Sequence, residues 1–287
     1  MPSSDSRSSE SVMPVLDLAL RLTLLDVLLR PVGNFYIRPL VLSLAVVGLL
    51  RSAWLRQPLL WLALAVLLAA RVLLDWPLAD NHAYLLAYWC LAIALACFFA
   101  DADLLKDNAR WLIAGVFTFA CLWKFVLSGN YADATFFKYI FIVDPRFEGL
   151  VRLTTGLDAA QLAPRTEQVE AHRHANLPQS AVDLPQALVI LAQAATTWNL
   201  FINGALALSF CLPAGRRLML IRHLLLLSYC IVTYAIATVD GFAWLLLAMG
   251  CALCSDKARM LRAGYVAVFL LIVFYREIPW AELLMDL

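Results

Sequence analysis

Charge is scarce in this sequence. Only 15% of its 287 residues are Asp, Glu, Lys or Arg, against about 25% in a soluble domain. No stretch is polar enough to wrap a conventional water-facing core. Surplus positive charge is also missing: 22 Lys and Arg meet 21 Asp and Glu, a net charge of +1. That excludes nucleic acid as a partner, because phosphate binding needs clustered excess cations. Twelve prolines and eleven glycines are too few for a collagen-like or low-complexity chain. The hydrophilic connections lack cysteine, since all seven (Cys90, Cys97, Cys121, Cys211, Cys230, Cys251 and Cys254) lie in apolar runs. A disulfide-stapled exterior is therefore excluded, and these thiols read as small apolar side chains. Residues 1–14 (MPSSDSRSSESVMP) have neither the apolar core nor the cleavage pattern of a secretory signal, and read as a disordered tail.

Hydrophobicity is what remains. Some 63% of residues are hydrophobic and the mean hydropathy is +0.79. Since a span needs about 20 apolar residues, candidate spans fall at 39–55, 57–74, 83–100, 110–127, 186–212, 219–239, 241–254 and 262–277. The seventh is short, and residues 223–254 can also form one broken helix. The expected fold is an all-α polytopic membrane bundle of about eight spans, seven to nine at the limits, occupying 15–287 as one domain. Before it, residues 15–30 (VLDLALRLTLLDVLLR) carry Asp17, Arg21 and Asp26 within an apolar stripe. Asp17 and Arg21 have i,i+4 spacing. An amphipathic helix on the membrane surface is expected here, with a packed span inside the bundle as the competing reading.

Lys and Arg set the expected orientation. The turns after spans one, three, five and seven hold Arg51, Arg56, Lys106, Arg110, Arg216, Arg217, Arg222, Lys257, Arg259 and Arg262; the opposite turns hold only Arg71. The first set should be cytoplasmic. The long connection 128–185 then faces outward, with an aromatic surface helix around Phe136–Ile142 and a polar mobile loop at 163–179. No repeat supports an inverted-repeat transporter.

Two segments can carry chemistry. In Asp75-Trp76-Pro77-Leu78-Ala79-Asp80-Asn81-His82-Ala83-Tyr84-Leu85, Pro77 ends one helix and Asp80 or Asn81 caps the next. His82 and Tyr84 then stand in the first turn of span three; the plainer alternative is an N-cap beside an interfacial aromatic. Lys124 is the only charge in the fourth apolar run, Trp111–Leu127. An ionisable residue at that depth is a functional candidate by default, although a lysine one turn from an end can also snorkel. Span counting places His82, Lys124, Asp75, Asp80, Tyr131, Asp133 and Asp240 in one outer layer. His223 opens span six at the opposite face and reads as structural. No metal site is expected: the H-x-H pair His172/His174 lacks further ligands nearby. Cys251-x-x-Cys254 has dithiol spacing, but packing is the favoured reading.

Asp80-Asn81-His82-Ala83-Tyr84-Leu85, with Tyr88, resembles the N-H-x-Y-L signature of the horizontally transferred transmembrane (HTTM) domain family, which includes the vitamin K-dependent gamma-glutamyl carboxylases. Looser similarity lies in Leu20-Arg21-Leu22, in Arg222-His223 through Asp240-Gly241-Phe242, and in 246–255. The resemblance implies a membrane enzyme in which a helix lysine deprotonates a quinol such as vitamin K hydroquinone, ultimately serving carboxylation of glutamate, with the motif histidine assisting. Carried over, His82 matches the motif histidine and Lys124 the base. Asp80, Asn81, Tyr84, Tyr131, Asp133 and Asp240 are then the candidate substrate- or lipid-binding residues. An isoprenoid quinone or another lipid is the implied ligand, and a bacterial inner membrane the implied location. The carboxylases append a large lumenal region and this sequence ends at Leu287, so carboxylation of a tethered protein is not expected. The alternative is a non-catalytic accessory or maturation subunit for a secreted or membrane partner.

Overall fold

The computed structural model describes residues 6–30, 34–77, 79–129, 131–174, 184–213, 215–236, 239, 241–278 and 280–285. These form helices and connecting turns, with no strand among the described residues. Chain order gives α1 (Ser6–Leu29), α2 (Arg38–Leu50), α3 (Ser52–Leu55), α4 (Pro58–Leu74), α5 (Asn81–Phe99) and α6 (Ala102–Cys121), which runs on as a π-helical turn, Leu122–Leu127. Next come α7 (Thr135–Val143), a 3-10 turn at Pro145–Phe147, α8 (Glu148–Thr155) and α9 (Ala159–His174). The chain closes with α10 (Gln186–Cys211), α11 (Arg216–Ile236), α12 (Phe242–Ala252), α13 (Arg259–Glu277) and α14 (Trp280–Met285).

By length and composition three helices can cross a membrane: Asn81–Phe99, Ala102–Leu127 and Arg217–Ile236. Arg38–Leu50, Pro58–Leu74 and Phe242–Ala252 are apolar but shorter. Local chemistry explains several boundaries. Pro58 occupies the first turn of α4, where its missing N–H costs nothing. Ala100 takes a left-handed conformation that ends α5, and Asp101 then caps α6 by accepting from Asp103 N and Leu104 N. So short a connection makes α5 and α6 an antiparallel hairpin, and α4 packs on α5 in the same way.

The main core is built around α12, whose residues from Ala243 to Ala252 are all buried. A helix apolar on every side belongs in an interior. Such a helix needs a close neighbour, and Gly250 supplies the room: a Cβ there would lie 2.5 Å from Cε1 and 2.7 Å from the hydroxyl of Tyr265. Tyr265 is fully buried on α13 and shares a 2.8 Å hydrogen bond with His223 Nδ1 of α11. Gly250→Ala should therefore destabilise the protein by about 1–3 kcal/mol through overpacking. Thermal unfolding in detergent measures this, and an unchanged midpoint would show that the ring yields freely.

The sequence reading of α1 needs correction. It does not lie on the surface: Ala19, Leu20, Thr23, Leu24, Asp26 and Val27 are all 0% exposed. The helix packs against α12 and α2, so the competing reading, a helix inside the bundle, is the one found. Two of its charged groups, Asp17 and Arg21, find partners elsewhere in the fold. Asp17 pairs not with Arg21 but with Arg56, through two 2.7 Å bonds that match the guanidinium fork to the carboxylate. Arg21 turns instead to Ser52 Oγ at 3.0 Å and Leu49 O. The helix also reaches back to Ser6, into the stretch expected to be a tail.

The connection 128–185 is mostly helical too. The aromatic helix forms as α7, but Phe137, Phe141 and Ile142 are buried in a second cluster with α8, α9 and the start of α10. Residues 163–174 of the expected mobile loop lie in α9, where Leu162 and Val169 give the helix an apolar side to bury. Residues 175–183 lie outside the described set. The 26-residue α10 joins the two clusters, with Leu188 and Ala192 in one and Ile202, Leu206 and Phe210 in the other.

Candidate functional site

Helix direction assembles one end of the bundle. In the α5–α6 hairpin, His82 begins one arm and Lys124 finishes the other. α10 runs antiparallel to α6, with Arg110 bonded to Phe210 O and Lys124 to Asn199. α11 turns back along α10, because Arg222 binds the Ser209 and Leu212 carbonyls at the end of that helix. Residue 241, beyond α11, thus returns to the end where Lys124 lies. His223, Tyr265 and the buried, free Cys251 and Cys254 belong to the opposite end.

Lys124 sits in the π-helical turn that continues α6 and is half-buried. Its Nζ donates to Asn199 Oδ1 at 2.6 Å and stands 5.2 Å from the centre of the Tyr131 ring. Among the described residues it has no carboxylate partner. Tyr131 is buried, stacked on Phe136 at 5.1 Å and edge-on to Phe137 at 5.8 Å. Burial pushes its phenol above the usual range, so it stays neutral at physiological pH. Behind Asn199 lies Asn203, only 2% exposed, whose Nδ2 donates to both Asn199 O and Asn199 Oδ1. Thr196 Oγ1 and Trp198 Nε1, on the same stretch of α10, are buried without a hydrogen-bond partner.

The other expected site residues are distributed as follows. Asp80 takes the N-cap position of α5 by backbone geometry, but its side chain makes no cap bond. His82 Nε2 lies 3.7 Å from Asp80 Oδ2; Asn81 is exposed and Tyr84 half-buried. Asp133 accepts from Thr135 N at 3.0 Å, a bond that holds its carboxyl below the ordinary range and fastens the start of α7. Asp240 and the side chains of His172 and His174 lie outside the described residues. No group of three or more metal-ligating side chains occurs among the described residues.

Two features escaped the sequence reading. One is the Asn199–Asn203 pair; two amides at i,i+4 in a long apolar helix are a polar signal that could have been noticed. The other is a buried ion pair at the end of α1. Arg30 Nε donates to Asp26 Oδ1 at 2.8 Å and Arg30 Nη2 bonds Asp26 Oδ2. Nη2 also donates to Gly241 O at 2.5 Å, while Nη1 is buried without a partner. This pair has the same i,i+4 spacing that drew attention to Asp17 and Arg21.

No protein-family model, curated protein or solved structure matches this chain.

Proposed function

We propose that this chain is a polytopic membrane protein of about eight spans, seven to nine at the limits, HTTM-like in organisation, that acts on an amphiphilic quinol or related lipid. Lys124 is the base and His82 its partner at the outward end, and a bacterial inner membrane is the setting. The observation that carries the reading is the placement of Lys124: a half-buried amine at a helix end, bonded to a neutral amide and facing an aromatic ring. An amine without a carboxylate partner is free of the charge that would hold its proton in place.

The surroundings suit a planar ring bearing hydroxyl groups. Tyr131, Phe136 and Phe137 would supply the aromatic wall, and Lys124 Nζ the polar contact. A bound quinol would contribute an acidic hydroxyl and redox capacity. The protein's part is to accept the proton at Lys124 Nζ, orient the ring against Tyr131 and exclude water.

The test is mass spectrometry of lipids and quinones retained by purified protein, wild type beside Lys124→Ala and His82→Ala. A retained quinone or lipid should fall at least about tenfold in Lys124→Ala and less in His82→Ala, at unchanged folding. Identical retention in all three proteins would remove both residues from the site. The accessory-subunit reading draws on an open groove of about 330 Å³ between α7 and α9, walled by Phe141 and Leu162 and edged by Glu148 and Glu167. It predicts a partner chain that co-purifies in place of a small molecule.

A further inference from the structure

Resting on the reading of Lys124 as a base, we infer that Asn199 is its positioning residue and that Asn203 locks the Asn199 amide in the orientation this requires. Asn199 Oδ1 accepts from two donors, Lys124 Nζ at 2.6 Å and Asn203 Nδ2 at 2.7 Å. Turning the amide over would point its NH2 at both donors and lose both bonds. Asn203 is itself fixed, because Nδ2 also reaches Asn199 O at 2.6 Å and the residue is 2% exposed. The lock is therefore buried on its Asn203 side and has one favoured setting.

A neutral acceptor in this place has a specific chemical consequence. An amide oxygen takes a hydrogen bond from an amine whether or not the amine carries its extra proton. A carboxylate in the same position would favour the charged form. Asn199 thus fixes the direction of Nζ, leaving the lone pair available on the side away from α10. Lys124 is left with few other electrostatic neighbours. Cys121 lies one turn back on α6, and the Tyr131 phenol faces it from the segment before α7. From α10 come Asn199 and Asn203, both uncharged. α5 brings Asp80 and His82 to the same end, and the titratable group of α12, Cys251, belongs to the far end.

The experiment needs no substrate. Lys124 is labelled by reductive methylation with formaldehyde and a borane reductant, across pH 6 to 11. The modified peptide is quantified by mass spectrometry, with Lys138 as the internal reference. In Asn199→Asp the pH of half-maximal labelling should rise by about one unit or more, because the introduced carboxylate favours the protonated amine. Asn203→Leu frees the amide to rotate, Nζ loses its fixed direction, and labelling of Lys124 at pH 10 should become several-fold slower. An Asn199→Asp profile superimposable on wild type, in protein of unchanged thermal stability, overturns the inference. If Asn199→Asp does not fold, an unchanged labelling rate in Asn203→Leu overturns it instead. A purely structural role for Asn203 would move stability without changing the Lys124 labelling rate. Labelling requires no turnover, so this result is independent of whether Lys124→Ala loses a bound quinone or lipid.

Discussion

Arg30→Met is expected to lower stability by about 3–5 kcal/mol, the cost of leaving one member of a buried ion pair without its partner. Asp26 is 0% exposed and Arg30 2%, so no water stands ready to replace the lost guanidinium. The substitution strands a carboxylate beneath α12 and also removes the donor to Gly241 O. Asp26→Leu/Arg30→Met should recover most of that loss, because two apolar side chains of similar volume carry no desolvation penalty. Unfolding by denaturing detergent, read for wild type and both variants, measures the difference. A single variant within about 1 kcal/mol of wild type would mean that Asp26 is held neutral or solvated and that the pair contributes little.

The contrast between Asp26–Arg30 and Asp17–Arg56 marks the limit of local sequence rules. Hydrophobic run length placed α4, α5, α10, α11, α12 and α13 close to their observed bounds, because periodicity and capping are encoded within each segment. Whether α1 faces lipid headgroups or a core depends on what packs against it. A stripe broken by Asp17, Arg21 and Asp26 is compatible with either. The structure resolves this through residues far away in sequence: Arg56 for Asp17, Gly241 for Arg30 and Trp89 Nε1 for Thr23 Oγ1 at 2.9 Å.

The candidate site divides along the same line. Lys124 stands out as a lone charge in an apolar run, and counting spans brings it to the end occupied by His82. Its actual partner, Asn199, is 75 residues away and uncharged. Rules that search for charge and motif pass over such a residue. Asp133 has a local partner in addition: its carboxylate accepts from the Thr135 amide and fastens the turn before α7.

Gly241→Ala carries the second large expected effect, and its size should depend on Arg30. Gly241 has φ +87°, a region where an L side chain is strained by about 1–3 kcal/mol. Strain is not the whole cost. The new Cβ would fall against the Arg30 guanidinium, 2.7 Å from Nη2 and closer still to Nε and Cζ. The guanidinium fills the space that glycine leaves open, so alanine must displace it and break its bonds to Asp26 and the Gly241 carbonyl. Alone, Gly241→Ala should cost about 3 kcal/mol or more, combining backbone strain with disruption of the buried pair. In an Arg30→Met background only the strain should remain, about 1–3 kcal/mol, giving a strongly sub-additive cycle. Additive losses would show that the two residues act independently. Sub-additivity would identify the Arg30–Gly241 contact as the clamp between α1 and the start of α12, at the end of the bundle where Lys124 and His82 lie.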